Sequence, residues 1–130
     1  MNERMGFQYV VLRCVPRVDR EEFVNVGVVV YCQAEDFLRT AAHVDEHRLV
    51  ALSADVDVAA VRSALEAVEA VCSGDPSAGE AGRGPMGTRF GFVKAPRSTV
   101  VQPGPVHGGT TLDPRASLDH LLARLVLTTG

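Results

Sequence analysis

Along the chain, strand-like segments come first and helix-like segments follow. Phe7 to Val15 is rich in β-branched and aromatic residues and stops at Pro16, which predicts a strand. The polar stretch from Val15 to Glu22 reads as a connector. Phe23 to Gln33 predicts a second strand, and its apolar run from Val26 to Cys32 suits a strand buried on both faces. Gly27 inside that run marks a bulge or a close backbone approach. Ala34-Glu35-Asp36 predicts a tight turn into a third strand, Phe37 to Val44. Three successive strands with short links favour an antiparallel meander.

The period then changes. Asp45 can cap a short helix over Glu46 to Ser53, and Asp57 a longer one. In the second, Val58, Val61, Leu65, Val68 and Cys72 recur at helical spacing, Arg62, Glu66 and Glu69 lie on other faces, and Gly74 supplies a stop. Gly74 to Gly87 is dense in Gly, Pro, Ser and Ala and reads as a mobile surface loop. Thr88 to Val93 and Ser98 to Gln102 read as extended, and a proline-glycine loop reaches Thr111. Asp113-Pro114 combines an N-cap with proline at the first helical position, and Leu118, Leu121, Leu122 and Leu125 mark one face of a final helix. No internal repeat is visible. Neither side of the 74–87 segment has a credible core alone, so residues 1–130 are expected to form one domain.

Composition narrows the class. At 130 residues, with 46% hydrophobic and 22% charged, the chain can enclose one core and is unlike a disordered tail. Trp is absent, so the core must rest mainly on Val, Leu and Ala. The 13 basic residues are all Arg except Lys94, which, with the abundant Ala, Val and Gly, fits a GC-rich bacterium. A net charge of -3 with dispersed signs provides no basic field for nucleic acid. Met1 to Gly6 has no apolar leader pattern and no stretch reaches membrane-spanning length, so a cytoplasmic protein without membrane contact is expected. Cys14, Cys32 and Cys72 include no Cys-x-x-Cys pair and read as buried thiols, with Cys14 and Cys32 placed to face each other on adjacent strands.

No Walker loop, dinucleotide glycine fingerprint, His-Glu-x-x-His or Gly-x-Ser-x-Gly elbow occurs. His43, His47, His107 and His120 lack metal-ligand spacing, so neither metal nor cofactor is expected. The richest segment is Arg89 to Thr111. Arg97 offers a fork of donors for carboxylate or phosphate, Ser98 and Thr99 add hydroxyls, and His107 precedes glycines that let backbone amides approach an anion. Glu22 and Asn25, at the start of the most apolar strand, would stand at the mouth of a cleft. The competing reading is structural: Arg97 pairs a carboxylate, His107 bonds a carbonyl, Glu22 pairs an arginine such as Arg13, and Asn25 caps a turn or bulge.

Two stretches together resemble a known family. Tyr9-Val10-Val11-Leu12-Arg13 with Glu22-Phe23-Val24-Asn25-Val26-Gly27-Val28-Val29 is similar to the opening of the bacterial family called domain of unknown function 3037. Ala95 to His107 (Ala-Pro-Arg-Ser-Thr-Val-Val-Gln-Pro-Gly-Pro-Val-His) is similar to its later signature. The resemblance spans about residues 9 to 126. It carries over no catalytic residue, and it implies a protein partner, a kinase of the high-persistence toxin type.

The expected fold is α+β: a three-stranded antiparallel meander, extended by one or two later strands and covered by two main helices. The expected function is a non-catalytic accessory or protein-interaction domain, working as a homodimer or beside such a kinase. The alternative is a small enzyme or ligand-binding protein in which Arg97, Ser98, Thr99 and His107 meet Glu22 and Asn25 around one hollow and hold an anionic group.

Overall fold

A computed structural model describes residues 3–97 and 99–127. They form a five-stranded antiparallel sheet with helices on both faces. β1 (Met5–Cys14) and β2 (Val24–Cys32) pair in the middle, and β3 (Phe37–Ala42) pairs the far side of β2. A 3₁₀ turn, Gln33–Glu35, links β2 to β3 and ends on Asp36 in the left-handed region (φ 49°). The meander expected from the sequence is therefore present.

The outer side of β1 is occupied by one stretch of chain in two pieces. β4 (Val101–Pro103) pairs Leu12 to Cys14, and β5 (His107–Thr111) pairs Met5 to Tyr9. Between them the register slips by one residue around Gly104-Pro105-Val106, with the Gly104 amide still donating to the Val11 carbonyl at 2.8 Å. Two prolines fit here because an edge strand does not need every N–H. The 107–111 stretch is thus a strand, where the sequence pattern predicted loop.

β2 has its own irregularity. Its register against β1 slips between Leu12 and Arg13, a bulge that leaves Val26 as the additional residue beside Gly27. The pleat changes phase there. Val24 and Val26 on one side of the bulge and Val29 on the other therefore join the same core, while Val28 and Val30 face the opposite way. This explains the unbroken apolar run: both faces of β2 are buried.

The larger core lies under α1 (Glu46–Leu52), α2 (Val58–Ser73) and α3 (Met86–Lys94). Asp45 and Asp57 cap α1 and α2 by accepting from Arg48 N and Ala60 N. Gly74 ends α2 with φ 71°, a conformation glycine adopts without steric cost. Residues 74–87, read from sequence as loop, contain a 3₁₀ segment, Pro76–Gly82, capped by Asp75, and the start of α3. Thr88 to Val93 is helical, not extended, and it buries Phe90 and Val93 one turn apart.

The smaller core lies on the opposite face. There α4 (Pro114–Leu125) sets Leu118, Leu121 and Leu122, with Val126 just beyond it, on Val28 and Val30. Asp113 caps α4 with Pro114 at its first position. The two long helices, α2 and α4, cover the sheet from opposite sides. Cys14 and Cys32 are both buried but sit near opposite ends of the β1–β2 ladder, so they do not face each other.

Candidate functional site

α4 lies over β2 and β3, and this leaves β1 and the edge strand more open on that face. β1 alternates, so Val10, Leu12 and Cys14 enter the larger core and Phe7, Tyr9, Val11 and Arg13 point to the α4 side. Across the ladder His107 stands opposite Tyr9, and the two rings stack with centroids 5.1 Å apart. Gly109 stands opposite Phe7, where a Cβ would lie 2.9 Å from Phe7 Cε1. The ring therefore needs the missing side chain.

Farther along β1, Arg13 lies over the ring of Phe23, 4.1 Å from its centroid. Its other side meets Gly104, where a Cβ would lie 3.0 Å from the guanidinium carbon. Among the described residues Arg13 makes no salt bridge or side-chain hydrogen bond, and its Nε is buried without a partner. Opposite Arg13, Asn25 donates from Nδ2 to the Leu125 carbonyl at 3.0 Å, tying β2 to the end of α4. Phe23 is 44% exposed. The result is a strip of aromatic and aliphatic side chains with one cation and one exposed imidazole.

The residues singled out in the sequence do not all meet here. Asn25 and His107 belong to the α4 face. Glu22 is in the connector and pairs Arg20, not Arg13, as an exposed ion pair of small energetic weight. Arg97 belongs to the other side of the molecule. It packs on Phe92 at 4.8 Å, donates to the Phe92 carbonyl, and borders a hollow of about 460 Å³ between α2 and α3. Thr99 is exposed and turns its hydroxyl back to the Val101 carbonyl at 2.7 Å. Ser98 lies outside the described residues. The single hollow expected around Arg97, His107 and Glu22 is thus divided: the sheet stands between Arg97 and His107.

The strip was partly readable in advance. Phe7, Tyr9, Val11 and Arg13 have a period of two, but the partner of each side chain depends on the register of an edge strand with no apolar alternation of its own. Burial pushes the Cys14 and Cys72 thiols up, away from reactivity near neutral pH. Among the described residues no three His, Cys, Asp or Glu side chains cluster as metal ligands, and no helix is long and apolar enough to cross a membrane.

The architecture is that of a small α+β domain with an antiparallel sheet between helical layers and one partly open sheet face. Residues 9–126 match the model of the family described as protein of unknown function (DUF3037), and the chain belongs to that family. No curated protein and no solved structure matches the chain.

Proposed function

We propose that the chain is a non-catalytic accessory module that docks a protein partner along the open strip beside β1 and β5. The observation behind this reading is the set of Phe23, Tyr9, His107 and Arg13 on a sheet region that α4 does not cover. Exposed aromatics with an arginine are the side chains that anchor protein interfaces. The glycines of β5 keep that edge low and give a partner access to its backbone. The partner class proposed with it is a kinase of the high-persistence toxin type, as the family resemblance implies. A ligand-holding loop from Arg97 to Thr111 has less behind it, because Arg97 and His107 serve opposite faces.

Hydrogen-exchange measurements on the purified chain, alone and with a purified kinase of this type, test the reading. The expected result is slower exchange in β1, β5 and the Phe23–Asn25 segment in the mixture. Unchanged exchange throughout would remove the kinase partnership. Protection confined to α2 and α3 would remove the strip.

A further inference from the structure

The outer edge of β5 is a separate surface from the strip on the α4 face. The Gly104 amide donates to the Val11 carbonyl, so the odd-numbered residues of β1 turn their backbone groups toward β4 and β5. Tyr9–His107, Phe7–Gly109 and Met5–Thr111 are therefore the hydrogen-bonded pairs of this ladder. Gly108 and Thr110, between them, point their N–H and C=O groups away from the sheet. Among the described residues only one of these groups is engaged. The Thr110 carbonyl accepts from Arg4 Nη2 at 2.9 Å, and a carbonyl oxygen has a second lone pair.

Edge strands are usually blunted by proline, charge, a bulge or a covering element. β4 has Pro103, Pro105 and the register slip that follows it. β3, at the other edge of the sheet, is flanked by α2, α3 and α4. β5 has no such protection: its first four residues are exposed, and no Asp, Glu, Lys or Arg occurs from Pro103 to Leu112. Its flanks are also symmetric. Val106 and Leu112, 42% and 52% exposed, stand equally far in sequence on either side of Gly109.

We propose that β5 pairs antiparallel with β5 of a second copy about a two-fold axis through Gly109, joining two sheets into one across a homodimer. In that register Gly108 of each copy stands opposite Thr110 of the other, and each such pair exchanges both N–H···O=C bonds. Val106 of each copy comes beside Leu112 of the other, so exposed apolar side chains cover one another at both ends. A two-fold contact must be self-complementary, and this edge is so in its backbone groups and in its flanks. The absence of charged residues along it lets like copies approach. An extended segment of another protein could use the same backbone row, but nothing in such a segment would call for the matched positions of Val106 and Leu112.

Sedimentation equilibrium of the purified chain alone, from roughly 10 µM to 1 mM, spans the weak affinities expected of a small interface. The weight-average mass is expected to rise toward twice that of the chain. Amide exchange at Gly108 and Thr110 should slow over the same concentrations. Val106→Glu and Leu112→Arg, each at an exposed position and so expected to keep the far-ultraviolet spectrum of the parent, should each weaken association at least about tenfold. The double variant Val106→Glu/Leu112→Arg should associate at least about threefold more tightly than either single variant, because opposite charges then meet at both ends. Within one chain the two positions lie about 20 Å apart along the strand, so this rescue requires a second copy. A chain that stays monomeric up to roughly 1 mM would overturn the assignment. So would a dimer whose Gly108 and Thr110 amides exchange as fast as in the monomer, or a double variant no tighter than the single ones.

Discussion

The imidazole of His107 lies on the phenol ring of Tyr9, with planes 27° apart, and so joins the edge strand to β1 on the α4 face. Among the described residues the contact gives His107 a surface role without an acid–base partner. Because the ring is exposed, His107→Ala should lower stability by no more than about 1 kcal/mol, the value of one aromatic pair. Urea unfolding monitored by circular dichroism checks this. A loss several times larger would mean that the edge strand depends on this stack.

Two glycines should respond in opposite directions to alanine. At Gly27 a Cβ would lie 3.1 Å from the Ala41 carbonyl oxygen and 3.3 Å from Leu12 Cδ1, between strands that cannot separate. Gly27→Ala should therefore destabilise by about 1–3 kcal/mol. Gly91 is in α3 with nothing within 4 Å of an added Cβ. Gly91→Ala should stabilise by about 0.5–1 kcal/mol through helix propensity and a less disordered unfolded chain. Paired denaturation curves decide both.

α3 is also where sequence and structure part most clearly. Arg89-Phe90-Gly91-Phe92-Val93 holds two aromatics, a β-branched residue and a glycine, and no side chain caps the start of the helix. Local preference therefore points to an extended segment. The helix forms because Phe90 and Val93, one turn apart, both reach the core, where Phe90 meets Tyr31 at 5.2 Å. α2 and α4 were legible for the contrary reason: an aspartate cap, a regular apolar stripe and a stop or proline all agree. β5 was invisible because His107-Gly108-Gly109-Thr110-Thr111 has no alternation; its shape is set by the Phe7 and Tyr9 rings across the ladder. The face each helix covers was not legible, since an apolar stripe does not say which side of the sheet it meets. Nor could spacing show that the sheet separates Arg97 from His107.

Phe90→Ala tests the tertiary origin of α3. The side chain is buried, so its removal should cost about 3–5 kcal/mol. Loss of helical signal should accompany it if α3 has little intrinsic stability. A cost under about 1 kcal/mol would contradict the packing described here.

The buried thiols give a pH dependence of known sign. Burial raises Cys14 and Cys72, so the native state holds these protons more tightly than the unfolded chain. Their contribution is complete below the ordinary thiol value and is lost as pH rises through the raised native values. Stability should thus decline from about pH 9 upward, the range in which free thiols ionise. A Cys14→Ala/Cys72→Ala variant, less stable at neutral pH, should show a shallower decline. Parallel curves for parent and variant would show that other groups are responsible.

The docking strip is the central claim, and the affinity of a paired surface variant tests it most directly. Phe23→Ser with His107→Ala removes two exposed rings of the strip, and single exposed changes of this kind usually alter stability by no more than about 1 kcal/mol. Calorimetric titration against the kinase partner should show at least about a tenfold loss of affinity, or about 1.4 kcal/mol, for a folded variant. Binding by the paired variant as tight as by the parent chain would contradict the account.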